Sequence, residues 1–221
     1  LFEETNEKLI NLIRRGEFNL TQFNSESVYE TLNELRYRHY IVSFTSLLAF
    51  NSTKSRNIAE FGVCDGLTVF FSINKYNKSD NFKAYLYDAW DGMNKKHLKA
   101  EKEQKLIGSY SYLSMENTQK NLVNYKKNLI FNKGYIPEVL SSCENPKKLS
   151  WSHIDLNSSY PTEKTLEFVY PLTEENGIIL FDDYGFDGYE DTRKVIDNFL
   201  FSKSGDFFHL PTGQAFFIKR K

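Results

Sequence analysis

Five short runs of aliphatic and aromatic residues, separated mostly by helix-like sequence, set the architecture of this 221-residue chain. The runs lie at 58–63, 84–87, 129–131, 151–156 and 177–181, and the stretches 115–126, 163–170 and 192–201 read as helices. Strands so nearly continuous in apolar residues have no polar face to give to water, which places them in a parallel sheet covered by helices on both sides. The end of the chain breaks this rhythm. Residues 207–210 and 215–218 flank Pro211-Thr212-Gly213, the pattern of an antiparallel hairpin that closes one sheet edge. The fold class is therefore α/β: a doubly wound, Rossmann-like sheet of five parallel strands plus a C-terminal antiparallel hairpin. Ligands of such sheets lie beyond the carboxyl ends of the strands.

The first fifty residues read as helices. Ser27-x-x-Glu30 has the form of a capping box, with Val28, Leu32 and Leu35 following on one helix face. The pattern runs on through Arg36, Tyr37, Arg38, His39 and Tyr40 into the apolar 41–50. The polar segment Asn51-Ser52-Thr53-Lys54-Ser55 marks a boundary, which gives a helical cap or lid at 1–50 and a ligand-binding domain at 51–221. With 28 basic and 29 acidic residues, the chain has no global electrostatic pull toward nucleic acid or anionic membrane. Two cysteines, Cys64 and Cys143, are too few for a disulfide framework. No apolar run approaches the ~20 residues that cross a bilayer, and no signal-peptide pattern opens the chain. A soluble, cytoplasmic protein is the expectation, with no nucleic-acid or membrane partner.

At the end of the first strand, Glu60-Phe61-Gly62-Val63-Cys64-Asp65-Gly66 forms a tight turn into a helix. The G-x-G-x-x-G spacing of dinucleotide folds is absent. A pyrophosphate needs bare N–H groups at a helix N-terminus, whereas Asp65 and Glu60 would repel it. Two carboxylates suit a cation, and S-adenosylmethionine offers a sulfonium and an α-ammonium. Asp88 ends the second strand 22 residues beyond Gly66, where it can accept hydrogen bonds from the two hydroxyls of a ribose. Trp90 follows it, either stacking on a base or packing in the core.

The fourth strand ends in Asp155 and the fifth in Asp182-Asp183. Brought together by neighbouring strands, the three carboxylates repel one another, and a hard divalent cation relieves that repulsion. Oxygen-only ligands point to Mg²⁺, or to Mn²⁺ or Ca²⁺, and away from zinc. Asn157 can add a carbonyl oxygen. His153 shares the strand face of Asp155 and reads as a supporting or core residue rather than a ligand.

These segments resemble a class I S-adenosylmethionine-dependent methyltransferase and, more narrowly, the macrocin O-methyltransferase family, which methylates sugar hydroxyls in bacterial natural products. The resemblance rests on Ala59-Glu60-Phe61-Gly62-Val63-Cys64-Asp65-Gly66, Tyr87-Asp88-Ala89-Trp90-Asp91-Gly92, Asn132-Lys133-Gly134-Tyr135, His153-Ile154-Asp155 and 177–185. It implies a cofactor held by Glu60, Gly62, Val63, Asp65, Gly66, Asp88, Trp90, Gly134 and Tyr135, the last two near the adenine. It implies Mg²⁺, or Mn²⁺, on Asp155, Asp182 and Asp183, with Asp182 favoured over Asp183 as the base. It also implies a small-molecule hydroxyl acceptor such as a sugar, a homodimer, and residues 36–40 as a lid or substrate contact. The chain departs from the family where Asp-x-Asp-x-Tyr becomes Asp155-Leu156-Asn157-Ser158-Ser159-Tyr160. The competing readings are a catechol-type metal-dependent methyltransferase acting on a small diol, and a binding module without turnover.

Overall fold

The computed structural model describes residues 2–24, 26–79 and 81–221. Three helices come first: α1 (Phe2–Arg14), α2 (Val28–Glu34) and α3 (Arg36–Ser52). Then β1 (Asn57–Phe61), α4 (Leu67–Ser72), β2 (Lys83–Asp88), α5 (Met115–Asn121), β3 (Leu129–Lys133), α6 (Glu138–Ser142) and β4 (Leu149–Ile154) follow. The chain ends with α7 (Ser159–Leu172), β5 (Thr173–Phe181), α8 (Glu190–Leu200), β6 (Gly205–His209) and β7 (Ala215–Lys219). The seven strands form one sheet in the order β3-β2-β1-β4-β5-β7-β6. The first five are parallel; β7 pairs antiparallel with β5 and then with β6.

Strand alternation divides the apolar residues into two layers. Ile58, Ala84, Leu86, Trp151, Ile178, Leu180 and Phe216 pack with residues of α1 to α4. Ala59, Phe61, Tyr85, Tyr87, Ile179, Phe181 and Phe217 pack on the opposite face with residues of α6, α7 and α8. Leu149 joins the second layer although Trp151 joins the first, and the register shift between them reconciles the two with a period of two. On the first face α3 is tied to the sheet by a buried hydrogen bond, since the Trp151 indole N–H donates to Thr45 Oγ1 at 3.0 Å. The N-terminal helices therefore share the main core.

Several boundaries differ from the sequence pattern, two of them for a clear local reason. The first strand stops at Phe61, because Gly62 turns the backbone to φ +85°. The helix at 115–126 is α-helical only to Asn121, with a 3₁₀ turn at Val123–Tyr125. The capping box at Ser27 does not form. Ser27 precedes α2, but its hydroxyl gives the helix no cap hydrogen bond and lies 3.5 Å from the Asn24 carbonyl instead.

Candidate active site

The strand order reverses between β1 and β4, since β1 leads on one side to β2 and β3 and on the other to β4 and β5. A cavity of about 540 Å³ opens there, within the roughly 300–1,000 Å³ range of small-molecule sites. The parallel ladders run one residue past the strands to fix its floor. Gly62 N–H donates to the Tyr87 carbonyl at 2.9 Å, Asp155 N–H to Phe61 at 2.9 Å, and Asp182 N–H to Ile154 at 3.0 Å. Gly62 has no substitute in this arrangement: a Cβ there would run into the Asp155 carbonyl oxygen, and its φ is left-handed.

On the β1–β2 side the polar groups are satisfied by the protein itself. Asp88 Oδ2 accepts from the backbone N–H groups of Val63 at 2.7 Å and Cys64 at 2.8 Å, and Oδ1 accepts from Trp90 N–H at 2.7 Å. These bonds hold Cys64 and Trp90 at positive φ, 53° and 43°. Burial pushes the Asp88 proton affinity up, and the backbone N–H groups oppose that shift. Asp88 thus lines the cavity while bracing the glycine turn.

Four expected cofactor residues, Glu60, Asp65, Gly66 and Trp90, lie outside the cavity lining. Asp65 is fully buried and accepts from Thr21 N–H at 2.7 Å, the Thr21 hydroxyl and Asn117 Nδ2 at 2.7 Å, so it ties the N-terminal segment to α5. Gly66 opens α4 at φ +84° and packs on Leu122. Trp90 offers no open face for a base: its indole N–H donates to the Cys64 carbonyl at 3.1 Å and to Thr118 Oγ1 at 2.9 Å. Gly62, Val63, Gly134 and Tyr135 do line the cavity, and the Tyr135 hydroxyl donates to the Gly92 carbonyl at 2.7 Å.

The β4–β5 side is different. Asp155, Asp182 and Asp183 come together with one oxygen from each within 4.8 Å of the others. Burial, then the neighbouring Asp155, pushes the Asp183 proton affinity well above the usual carboxylate range, against the pull of Arg38 and the Asn157 N–H. Burial raises Asp155 as well, with Arg38 opposing. Asp182 has both oxygens engaged: Gln214 Nε2 donates to Oδ1 at 2.8 Å, and Arg38 pairs with Oδ2. Asp183 is less engaged, with its Oδ2 accepting from the Asn157 N–H at 3.1 Å. Asn157 is itself held at φ 54°, with its side chain donating to Asp155 Oδ1 and accepting from the Tyr189 hydroxyl at 2.7 Å.

Beneath this cluster lie two buried groups short of partners. Glu60 and His153 are paired across β1 and β4, with Glu60 Oε1 3.6 Å from His153 Nδ1. His153 Nε2 is 3.5 Å from Asp182 Oδ1. Neither His153 nitrogen and not Glu60 Oε2 has a hydrogen-bond partner among the described residues. Burial, then Asp155 and Asp88, lifts the Glu60 proton affinity, and burial lowers that of His153 to about 3. His153 is therefore neutral near pH 7. Glu60 lies under the cavity rather than in its lining.

The donor set suits a hard divalent cation: three clustered carboxylates, two of them with raised proton affinity, and no thiolate or imidazole among them. The sequence did not single out Gln214 or the cavity-lining Asp91 and His39 as site residues. It flagged 36–40 without pointing to the ion pair of Arg38. Their contacts join segments far apart in the chain, and no local spacing encodes them.

Residues 59–184, more than half of the chain, match a family model described as a methyltransferase domain. Among solved structures, the O-methyltransferase NovP is similar at 15% identity and TM-score 0.72, over 83% of this chain and 80% of that one. The calicheamicin methyltransferase CalS11 is similar at 15% identity and TM-score 0.63, over 98% and 91%. TomG, an O-methyltransferase from Streptomyces achromogenes solved with S-adenosylmethionine, is similar at 10% identity and TM-score 0.57, over 90% and 92%. No curated protein matches the chain in sequence.

Proposed function

The chain belongs to the methyltransferase-domain family, and from that premise we propose that it is an S-adenosylmethionine-dependent O-methyltransferase acting on a hydroxyl of a sugar or sugar-containing metabolite, assisted by Mg²⁺ or Mn²⁺. The observation that carries this reading is the meeting of Asp155, Asp182 and Asp183 in the same cavity as the Gly62–Val63 turn and Asp88. The neighbours support a sugar acceptor, since the apo structure of CalS11 describes it as a TDP-rhamnose 3'-O-methyltransferase.

S-adenosylmethionine supplies the methyl group on a sulfonium. Gly62, Val63, Asp88, Gly134 and Tyr135, which line the cavity, would hold that cofactor. A divalent cation on Asp155, Asp182 and Asp183 lowers the pKa of a coordinated hydroxyl. The residues align donor and acceptor for an in-line displacement, a contribution worth roughly 7–11 kcal/mol in favourable cases. Asp183 Oδ1, its Oδ2 held by the Asn157 N–H, would take the hydroxyl proton as the O–CH3 bond forms and the sulfonium S–CH3 bond breaks, with S-adenosylhomocysteine as the leaving group. General-base help of this kind is worth about 10²–10⁴-fold. Glu60 and His153 lie beneath the cluster, and burial favours the uncharged form of each.

The methyl acceptor is tested with tritiated S-adenosylmethionine and two probes, TDP-rhamnose and catechol, each with and without EDTA. EDTA-sensitive label on the sugar supports the reading. Label on catechol alone would favour the diol enzyme, and full activity in EDTA would remove the metal. The helical cap at 1–50, a homodimer and a cytoplasmic setting belong to the same proposal. Among the described residues, no helix is long and apolar enough to cross a membrane.

A further inference from the structure

The carboxylate cluster already has a cation of its own. Arg38 lies in the first turn of α3 and pairs with Asp182 Oδ2, although 144 positions separate the two in the chain. Its guanidinium carbon sits 4.8 Å from the centroid of the Phe186 ring, a residue of the segment after β5. Its charge also opposes the rise in proton affinity at Asp155 and at Asp183. Among the described residues, Arg38 is the only Arg or Lys in the cavity lining, where Asp88, Asp91, Asp155, Asp182, Asp183 and Asp187 all contribute carboxylates.

Strand parity explains the pairing. Leu180 belongs to the core layer shared with α1 to α4, and Asp182 continues that side of β5. It therefore faces α3, where Thr45 is hydrogen-bonded to Trp151 and Arg38 is two turns nearer the N-terminus. With Gln214 holding Oδ1, the only oxygen of Asp182 left for a metal is the one that Arg38 occupies.

We propose that Arg38 is an internal counter-cation that competes with the divalent ion for Asp182, so that α3 sets the metal affinity of the site. The proposal rests on the metal reading above. A guanidinium and a divalent ion cannot share one carboxylate oxygen, because their like charges would meet at about 4 Å in a part-buried setting. Metal entry moves the guanidinium off Oδ2. Phe186, already in contact with the guanidinium, continues to attract the cation once it has left its carboxylate. Three carboxylates, one displaced guanidinium and one divalent ion then sum to a neutral site. The Asn157 substitution fits this balance: a fourth carboxylate at that position would leave an excess negative charge.

The test is Mn²⁺ binding followed by electron paramagnetic resonance on the full chain, comparing wild type, Arg38→Met, Arg38→Lys and Asp183→Asn. Methionine keeps the apolar stem without the charge, so R38M binds Mn²⁺ at least about tenfold more tightly, with R38K between it and wild type. Unchanged or weaker Mn²⁺ binding by R38M, in a protein that melts like wild type, overturns the proposal. If R38M does not fold, R38K decides: affinity equal to wild type overturns it, and tighter binding supports it. Equal binding by wild type and R38M together with loss in D183N removes the role of Arg38 and leaves the metal site standing. No binding by any of the four removes both.

Discussion

The two halves of the cavity are built on opposite terms. Around the turn after β1 and the end of β2, two carboxylates end on the protein's own donors: Asp88 on three backbone N–H groups, Asp65 on Thr21 and Asn117. On the β4–β5 side carboxylates face one another, His153 and Glu60 are buried short of partners, and the nearest cation comes from a helix at the other end of the chain. The first half is a finished frame that holds a shape; the second is electrostatically unfinished and reserves its free energy for what binds there. Function concentrates where the fold leaves charge uncompensated.

The largest contrast is catalytic. Asp183→Asn keeps the size of the side chain and an oxygen for the Asn157 N–H but removes the proton acceptor. It lowers kcat by about 10²–10⁴-fold in a methyl-transfer assay, with S-adenosylmethionine affinity by calorimetry little changed. Activity within threefold of wild type would show that the two halves do not divide the work in this way.

The next contrast is in stability. Asp88→Ala leaves three backbone N–H groups without their acceptor and relaxes Cys64 and Trp90 from positive φ, which costs about 3–5 kcal/mol in urea unfolding and abolishes cofactor binding. D183N moves the other way at pH 8. A carboxylate whose proton affinity is raised by burial contributes stability below its unfolded pKa and loses it as pH rises through its folded value. Removing that charge therefore raises Tm by about 2–4 °C in the metal-free protein. A loss of Tm would mean that the charge is better compensated than its neighbours indicate.

The smallest effect is a pH dependence. His153 is held neutral with its pKa lowered to about 3, so it contributes stability above an unfolded pKa near 6.5 that is lost as pH falls toward 3. Between pH 7.5 and 4.5 wild type loses on the order of 2–3 kcal/mol more than His153→Gln. Equal losses would place a charged imidazole under the carboxylates.

The same division decides what the sequence could tell. The five parallel strands and the hairpin were legible because burial on both faces forces near-continuous apolar runs, and Gly62 and Gly66 mark backbone that no other residue adopts easily. Asp155, Asp182 and Asp183 were legible because strand ends in a parallel sheet converge by topology alone. That Asp65 and Trp90 lie outside the cavity lining was not legible, because a tight turn sends successive side chains in different directions. The Ser27 capping box failed for a related reason: the residue types were present, but the backbone entering α2 gives the hydroxyl no N–H to reach. Arg38 and Gln214 at Asp182 depend on α3 and the hairpin packing against the same strand end, a fact of tertiary structure without a local signature.

The central claim is that one divalent ion sits among three aspartates beside the methyl donor. Crystals grown with S-adenosylhomocysteine and Mn²⁺, and measured at the manganese absorption edge, test it directly. The account predicts a single strong anomalous peak within ligand distance of Asp155 and Asp183, with the Arg38 guanidinium displaced from Asp182 Oδ2. A map without that peak, or with Arg38 still on Asp182 and manganese bound elsewhere, would contradict it.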